Sequence, residues 1–222
     1  LNSSLTLSIL VNKAAPDLTP QVKKTVLILF IYLTCLKVKL IIIALIKMKI
    51  NNNYGILFFI TGLSGSGKTS ISNNIKKRIE KKYGKTLLLT GEKIRDIYKF
   101  RGFTKKDRLK LGMQNIELIN MILNQKINVI YDAVALLKEL RSQKRKKIKN
   151  YLEIFKKTNV KQIIKFNKKK KIYKKIKSNI MGIHIIPDFP KKPDIIIKND
   201  FKKSIDKLTD ELFKKIIRLL DY

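Results

Sequence analysis

Gly62-Leu63-Ser64-Gly65-Ser66-Gly67-Lys68-Thr69 is the stretch that decides the fold of this chain. Its pattern, GxxxxGK[ST], is that of a phosphate-binding loop. The apolar run Gly55–Thr61 comes before it and predicts a buried strand. Ser70–Lys82 comes after it with isoleucines four residues apart, which predicts an amphipathic helix. A strand before the loop and a helix after it are the context that the motif requires.

The residue types of this loop explain how it would hold a chain of phosphates. Glycines let successive backbone N–H groups turn inward, and the N-terminus of the following helix adds a favourable dipole. We expect Lys68 to reach the β- and γ-phosphates of ATP, and the Thr69 hydroxyl to coordinate Mg²⁺. The expected ATP-binding residues are Gly62, Leu63, Ser64, Gly65, Ser66, Gly67, Lys68, Thr69 and Ser70.

The rest of the chain alternates predicted strands and helices. This alternation is typical of a parallel sheet covered by helices on both faces. The sequence therefore predicts an α/β protein with a three-layer fold of the P-loop NTPase type, which has a central, mainly parallel sheet and a lid. The predicted lid is the polar, lysine-rich flap at Phe166–Pro190. Further strands are predicted at Thr86–Thr90, Ile127–Asp132, Tyr151–Phe155 and Asp194–Ile197, and helices at Lys105–Gln125, Leu137–Lys149 and Ser204–Leu220 with Ser204 as N-cap.

The first 50 residues differ in composition from residues 51–222, which form the predicted P-loop domain. Thr25–Ile46 is long enough to cross a bilayer, but Lys37 and Lys39 interrupt it, each at a cost of about 2.5–3.5 kcal/mol on insertion scales. The chain begins with Leu, and Met48 precedes the first predicted strand. We interpret residues 1–47 as upstream sequence or a degenerate extension. A membrane anchor and a native packed element remain the alternatives.

Charge and cysteine content restrict the class of protein. The net charge is +34, but the basic residues are seven Arg and 43 Lys, spread along the whole chain. Arg is the residue favoured for bidentate phosphate and base recognition, so we do not expect nucleic acid as a partner. The single cysteine, Cys35, excludes an internal disulfide framework, and no Cys/His cluster suggests structural zinc.

The phosphate loop by itself does not separate a GTPase, an ATPase and a small-molecule kinase. A guanine-specific protein should also carry a DxxG switch, and the sequence has none. A compact nucleotide or metabolite kinase, in which a flap closes over two substrates, is the class that remains.

Several segments, in order along the chain, give a more specific resemblance. The loop Gly62–Ser70, the segment Gly91–Arg95 after the second strand, and Gly102-Phe103-Thr104 followed by Asp107-Arg108 are similar to the adenylylsulfate kinase family. The resemblance covers about residues 55–220. Its remaining parts are Lys171–Lys175 and Asn179–Ile183, similar to the substrate lid, and Pro193–Ile197 with Asn199-Asp200, similar to the last strand.

The family transfers the γ-phosphoryl group of MgATP to the 3′-hydroxyl of adenosine 5′-phosphosulfate. The resemblance implies that Arg95 and Arg108 hold the phosphosulfate, which suits two cations facing an anion. It also implies that Phe103 stacks on the adenine of the substrate. Glu92 is the candidate for orienting the 3′-hydroxyl or holding Mg²⁺, the alternative being a solvated acid in the first turn of a helix. The lid resemblance adds Ile180, Met181 and Gly182 as substrate-binding residues.

The sequence also departs from the family pattern, and these departures put the acceptor in question. Asp132 ends the third predicted strand, where ligands bind in open α/β folds, and we expect it to take over Mg²⁺ binding. The alternative for Asp132 is a strand-terminal cap. This chain has Thr90-Gly91-Glu92 where the family pattern has Asp-Gly-Asp, and Leu111 and Met113 where it has Asn and Arg. It has Lys138-Glu139 in place of Ser-Pro, Phe166-Asn167 in place of Arg-Asp, and His184 in place of an Asp of the lid.

The leading interpretation is therefore an ATP-dependent kinase of adenylylsulfate in sulfate activation. A related kinase of another nucleotide or sugar-nucleotide, and a nucleotide-binding protein with little catalysis, are the alternatives. We expect a cytoplasmic protein whose partners are ATP and an adenylylsulfate-like molecule, and the sequence leaves a homodimer open. Membrane association is expected only if residues 25–46 are a real anchor.

Overall fold

The computed structural model describes residues 50–166 and 179–221, together with Thr25 and Ile28. The strands and helices of residues 57–220 belong to one compact unit, Met48–Asp221. Its strands are β1 (Leu57–Thr61), β2 (Thr86–Thr90), β3 (Asn128–Ala133), β4 (Tyr151–Lys157) and β5 (Ile195–Lys198). Its helices are α1 (Lys68–Tyr83), α2 (Gly91–Ile97), α3 (Lys105–Leu123), α4 (Lys138–Lys147), α5 (Val160–Phe166) and α6 (Ile205–Leu220).

The strands form a five-stranded sheet in the order β2-β3-β1-β4-β5, and every neighbouring pair is parallel. The α/β fold predicted from the alternating pattern is thus confirmed. In the register of the sheet, Thr61 at the end of β1 lies opposite Ala133 of β3 and Phe155 of β4. The carboxyl ends of the three central strands therefore meet at one edge, and the loops that follow them share one side of the molecule.

Strand β1 separates two apolar layers because its side chains alternate between the two faces of the sheet. Leu57 and Phe59 belong to one cluster, which includes residues of α3 and α4. Phe58 and Ile60 belong to the other, which includes residues of α1 and α6. All four side chains are buried. This arrangement gives the three predicted layers, helices, sheet and helices.

The structure adds two short helices that the sequence did not predict. Helix α2 follows β2 directly, so Glu92 lies in the first turn of a helix, the position that the sequence analysis gave as the alternative for this residue. Helix α5 ends at Phe166, the residue at which the polar flap was predicted to begin. Both helices have seven residues, too few to show a clear apolar periodicity. Residues 167–178 of the predicted lid, including Asn167, lie outside the described residues.

The apolar run at 25–46 also lies outside the described residues, apart from Thr25 and Ile28. Within the part of the chain that is described, no helix combines the length and the apolar character needed to cross a bilayer.

Candidate active site

The phosphate loop has the backbone shape that its glycines allow. Gly67 has φ 85° and is the N-cap of α1, a left-handed conformation that residues with a side chain adopt at a cost. Gly62 has φ 151°, and a Cβ on it would lie 2.6 Å from the carbonyl oxygen of Lys156 in β4. The loop is thus pressed against β4 where it leaves β1, and it ends at the N-terminus of a 16-residue helix.

Lys68 and Thr69, the two polar residues that close the loop, lie side by side at the start of α1. The Lys68 ammonium is buried and donates a hydrogen bond to the carbonyl oxygen of Leu63 at 2.8 Å, within the loop itself. The Thr69 hydroxyl donates to Oδ1 of Asp132 at 3.3 Å. Asp132 therefore lies at the phosphate loop, as its predicted position at the end of β3 suggested.

Asp132 is a buried carboxylate with incomplete hydrogen bonding. Only 4% of the residue is exposed, and Oδ2 has no hydrogen-bond partner among the described residues. Burial raises the pKa of Asp132, while the Lys68 ammonium and the hydroxyls of Thr69 and Ser72 counteract part of this rise. The nearby carboxylate of Glu92 raises the pKa further. A group with this surplus of negative charge and an unused oxygen is suited to accept a cation.

Mg²⁺ fits this position better than a metal that needs a full protein cage. Among residues 50–166 and 179–221 no group of three His, Cys, Asp or Glu side chains could hold a metal ion. Mg²⁺ usually binds through one or two protein oxygens, together with water and substrate phosphates. The Thr69 hydroxyl and the free oxygen of Asp132 are donors of that kind, so the cation would arrive with the nucleotide.

One large cavity, with a volume of about 790 Å³, opens at this edge of the sheet. One end is lined by the phosphate loop and α1, with Asp132 and Glu92 beside them. The other end is lined by Arg95, Phe103 and Arg108. Of the nine residues expected to bind ATP, six line the cavity: Ser64, Gly65, Gly67, Lys68, Thr69 and Ser70.

Two guanidinium groups lie close to the ring of Phe103 at the second end of the cavity. The guanidinium carbon of Arg95 is 4.5 Å from the centroid of the Phe103 ring, and that of Arg108 is 5.7 Å away. The ring is 48% exposed, so a planar ligand can reach it. Burial lowers the pKa of both arginines, but both stay charged at neutral pH.

Hydrogen bonds to the backbone hold both arginines. Arg95 donates to the carbonyl oxygen of Gly102 at 2.6 Å, and Arg108 donates to that of Phe103 at 2.9 Å. A second bond from Arg108, to the carbonyl oxygen of Asn179 at 3.0 Å, joins α3 to the described part of the predicted lid. These backbone hydrogen bonds therefore hold both cations in their positions beside Phe103.

A capping box fixes the start of α3 next to Phe103. The Thr104 hydroxyl accepts a hydrogen bond from the N–H of Asp107, and the Asp107 carboxylate accepts one from the N–H of Thr104. These bonds lower the pKa of Asp107. Asp107, which the family resemblance pairs with Arg108, therefore caps the helix that carries this arginine.

The residues expected from the lid resemblance lie at two places. Ile180 and Met181 are buried, belong to the apolar cluster around Phe59, and line the cavity. Gly182 instead packs on the phosphate loop, because a Cβ on it would lie 2.8 Å from a methyl group of Leu63. Its φ of 93° favours glycine as well.

Three of the departures from the family pattern have a visible structural role. Thr90 is the N-cap of α2 and accepts a hydrogen bond from the N–H of Lys93. Leu111 is buried and lines the cavity, and Met113 packs against the apolar cluster around Phe59. Apolar side chains thus stand where the family pattern has polar ones. Glu92 is exposed at the cavity, in the first turn of α2.

The sequence analysis did not predict Asn115 and Tyr131, which also line the cavity. Asn115 donates a hydrogen bond to the Tyr131 hydroxyl at 2.9 Å, and both side chains are buried. Burial raises the pKa of Tyr131 to about 12. Asn115 follows Arg108 by seven residues and Leu111 by four, so helical periodicity alone could have assigned it to the same face of α3.

A parallel sheet with a phosphate loop and a separate cationic pocket at one edge is typical of P-loop phosphotransferases, which bring a nucleotide and an acceptor together. Comparison with known proteins names the family. The family model for adenylylsulphate kinase matches residues 54–198, and the chain belongs to this family.

The chain has relatives with two different names. A cytidine diphosphoramidate kinase of Campylobacter jejuni is 26% identical over 170 residues, which cover 75% of this chain and 98% of the relative. An adenylyl-sulfate kinase of Buchnera aphidicola subsp. Schizaphis graminum is 33% identical over 178 residues, which cover 72% of this chain and 82% of the relative. This chain has the same fold as the APS kinase of Mycobacterium tuberculosis, whose structure was solved in complex with AMPPNP and APS. The two chains are 24% identical in sequence and superpose with a TM-score of 0.66, and the match covers 73% of this chain and 98% of the other.

Proposed function

We propose that this protein transfers the γ-phosphoryl group of MgATP to the 3′-hydroxyl of adenosine 5′-phosphosulfate, a step of sulfate activation. The observation that carries the proposal is the shared cavity, in which the phosphate loop faces the pocket of Arg95, Phe103 and Arg108. The two ends of this cavity differ in chemistry, one suited to a polyphosphate and the other to an anion attached to a planar base. A kinase needs both in one cavity, because donor and acceptor must meet for direct transfer.

At the donor end, the chain's own groups bind and orient the triphosphate. Backbone N–H groups of the loop and the N-terminus of α1 point toward the phosphates, and Lys68 supplies a positive charge at the β- and γ-phosphates. Thr69 and Asp132 would hold Mg²⁺, whose chemistry is to neutralise the charge that develops on the phosphoryl oxygens. Because phosphoryl transfer depends on position and charge, these contacts account for most of the catalysis.

At the acceptor end, Arg95 and Arg108 would bind the phosphosulfate, and Phe103 would stack on the base. The backbone hydrogen bonds of both arginines keep the pocket ready before the acceptor arrives, which lowers the entropic cost of binding. Glu92, at the cavity next to Asp132, would orient the 3′-hydroxyl and accept its proton. Ile180 and Met181 would cover the bound acceptor with apolar surface.

A second acceptor, cytidine diphosphoramidate, is favoured by a specific observation. Leu111 and Met113 stand where the adenylylsulfate kinase pattern has Asn and Arg, and a relative that spans the kinase unit is named for that substrate. The two acceptors share a nucleoside with an anionic 5′ tail and differ in the base and the terminal group. The arginine pair suits either tail, so the base and the terminal group decide between them.

The test measures ADP release by the full chain with MgATP alone, with adenosine 5′-phosphosulfate, and with cytidine diphosphoramidate. The matched control is Lys68→Ala, which removes the ammonium of the loop. Release that needs adenosine 5′-phosphosulfate and is lost in the control supports the leading proposal. Release only with the cytidine compound assigns the second acceptor. Binding of MgATP without stimulated release by either compound contradicts both, and leaves a nucleotide-binding protein with little catalysis.

A further inference from the structure

Lys156 is a buried lysine whose charge the surrounding residues do not balance. It lies in β4, only 1% of it is exposed, and its Nζ has no hydrogen-bond partner among the described residues. Glu211 of α6 is the acidic group that acts on it most, but Glu211 already forms ion pairs with Lys203 at 3.1 Å and Lys215 at 2.9 Å. An uncompensated ammonium in this environment is costly and calls for a functional explanation.

The position of Lys156 is directly behind the phosphate loop. A Cβ on Gly67 would lie 3.4 Å from Cε and 3.8 Å from Nζ of Lys156. At the other end of the loop, the Lys156 carbonyl oxygen would lie 2.6 Å from a Cβ on Gly62. Asn199 of the segment after β5 completes this support, because its Nδ2 donates to the carbonyl oxygen of Ser66 at 2.9 Å. Lys156 thus contacts the loop near both of its ends.

The alternation of β4 explains why this lysine points where it does. Leu152 and Ile154 belong to the apolar cluster between the sheet and helices α1 and α6, and Lys156 follows on the same face of the strand. Its aliphatic stem continues that apolar row, while the ammonium ends at the N-terminus of α1. Burial lowers the pKa of Lys156 to about 8, so the side chain remains mostly protonated at pH 7.

We propose that Lys156 is a positioning residue of the phosphate site, and that its ammonium, held behind Gly67, increases affinity for the phosphate chain of nucleoside di- and triphosphates. Lys68 supplies a positive charge inside the loop, and Lys156 supplies a second one from behind. The bound phosphates supply the negative charge that the described residues do not provide. The inference rests on the proposed function only in requiring that nucleotide phosphates bind at the loop.

The experiment compares the full chain with Lys156→Met, which keeps the length of the side chain and removes the charge. The control is Lys157→Met, the same change at the next residue of β4, which is exposed. Calorimetry at pH 7 and low salt gives the dissociation constants of ADP and adenosine. We expect Lys156→Met to weaken ADP binding about tenfold and to leave adenosine binding unchanged, because adenosine has no phosphate.

Two further measurements separate this role from a structural one. The melting temperature of the unliganded Lys156→Met variant should rise, since a buried uncompensated charge is gone, while the shift produced by ADP should shrink. In turnover, KM for MgATP should rise, with KM for the acceptor unchanged. If the role of Lys156 were purely structural, the melting temperature of the unliganded protein and the shift produced by ADP would change in the same direction.

Each contrary result overturns the inference. ADP affinity within twofold of the wild type would mean that the buried charge does not act on the phosphates. An equal loss of ADP and adenosine affinity would mean that Lys156 only supports the fold. If Lys156→Met does not fold, Lys156→Gln provides the same comparison. A wild type that binds ADP but phosphorylates neither acceptor contradicts the proposed function and leaves this inference intact, whereas a wild type that does not bind ADP contradicts both.

Discussion

Lys144 allows a quantitative prediction in which two opposing effects can be compared. This residue of α4 is 1% exposed, and its Nζ lies 4.1 Å from the centroid of the Phe59 ring. Burial lowers the pKa of Lys144 to about 7 from its usual 10.5. We predict that Lys144→Met makes the protein more stable at pH 6, because methionine fills the same space without a charge to desolvate.

The magnitude follows from the pKa. A fall of about 3.5 pKa units corresponds to a cost of about 5 kcal/mol for holding the charged form in the folded state. The contact with the Phe59 ring, worth about 2 kcal/mol for a desolvated cation, opposes this cost, but the pKa is already the balance of the interactions that favour and disfavour the charged form. The gain expected for Lys144→Met at pH 6 is therefore about 5 kcal/mol. Glu153 keeps Arg141 at 3.4 Å and Arg145 at 3.0 Å, so the substitution leaves no unpaired carboxylate.

The pH dependence has a definite sign. A lysine whose pKa is lower in the folded state than in the unfolded state binds fewer protons when folded, so wild-type stability rises as the pH increases from about 7 toward 10.5. The advantage of Lys144→Met should consequently shrink to about 1 kcal/mol near pH 9.5. Lys156 titrates with the same sign, but it is present in both proteins and cancels in the difference.

The assay is urea unfolding of the full chain at pH 6 and pH 9.5, for the wild type, Lys144→Met and the control Lys146→Met, an exposed lysine of the same helix. The control should change the free energy of unfolding by less than about 0.5 kcal/mol. If Lys144→Met is less stable than the wild type by the same amount at both pH values, the ring contact outweighs burial and the reasoning is refuted.

Three further predictions concern the site. Asp132→Asn should lower kcat/KM for MgATP about 10²- to 10³-fold in steady-state kinetics. The melting temperature should not fall, because the substitution removes a buried charge. Asp210→Asn on the surface is the control, and equal activity of the two variants would contradict the role of Asp132. Arg108→Met should raise KM for the acceptor at least about tenfold and leave KM for MgATP nearly unchanged, and the reverse pattern would assign Arg108 to the donor end. Thr104→Ala should cost about 1 kcal/mol of unfolding free energy, measured by denaturation, and no loss would mean that the capping box is not formed in solution.

The sequence was sufficient for the order of the five strands and the four longer helices of residues 57–220, and for the phosphate loop. The loop motif specifies its own backbone, since glycines at 62, 65 and 67 all adopt positive φ values. The N-cap at Ser204 was also predictable, because it depends on a local hydrogen bond, which the structure forms to the N–H of Lys207. Short helices such as α2 and α5 were missed because seven residues carry too little periodicity.

Parts of the site depend on contacts between residues distant in the sequence. Asp132 was predictable at the correct edge of the sheet because it ends a predicted strand, but its contact with Thr69, 63 residues away, needed the folded chain. The sequence offered no reason to place Lys156 behind Gly67, 89 positions earlier, or to pair Asn115 with Tyr131.

The sequence by itself determined the family, the fold and the phosphate loop at one end of the cavity, because local patterns and short motifs carry that information. Only the tertiary structure decided which charges are buried, which lack partners and which face the cavity. Burial and electrostatic coupling arise from packing between distant segments, and the free energy of a charge depends on that packing rather than on its neighbours along the chain.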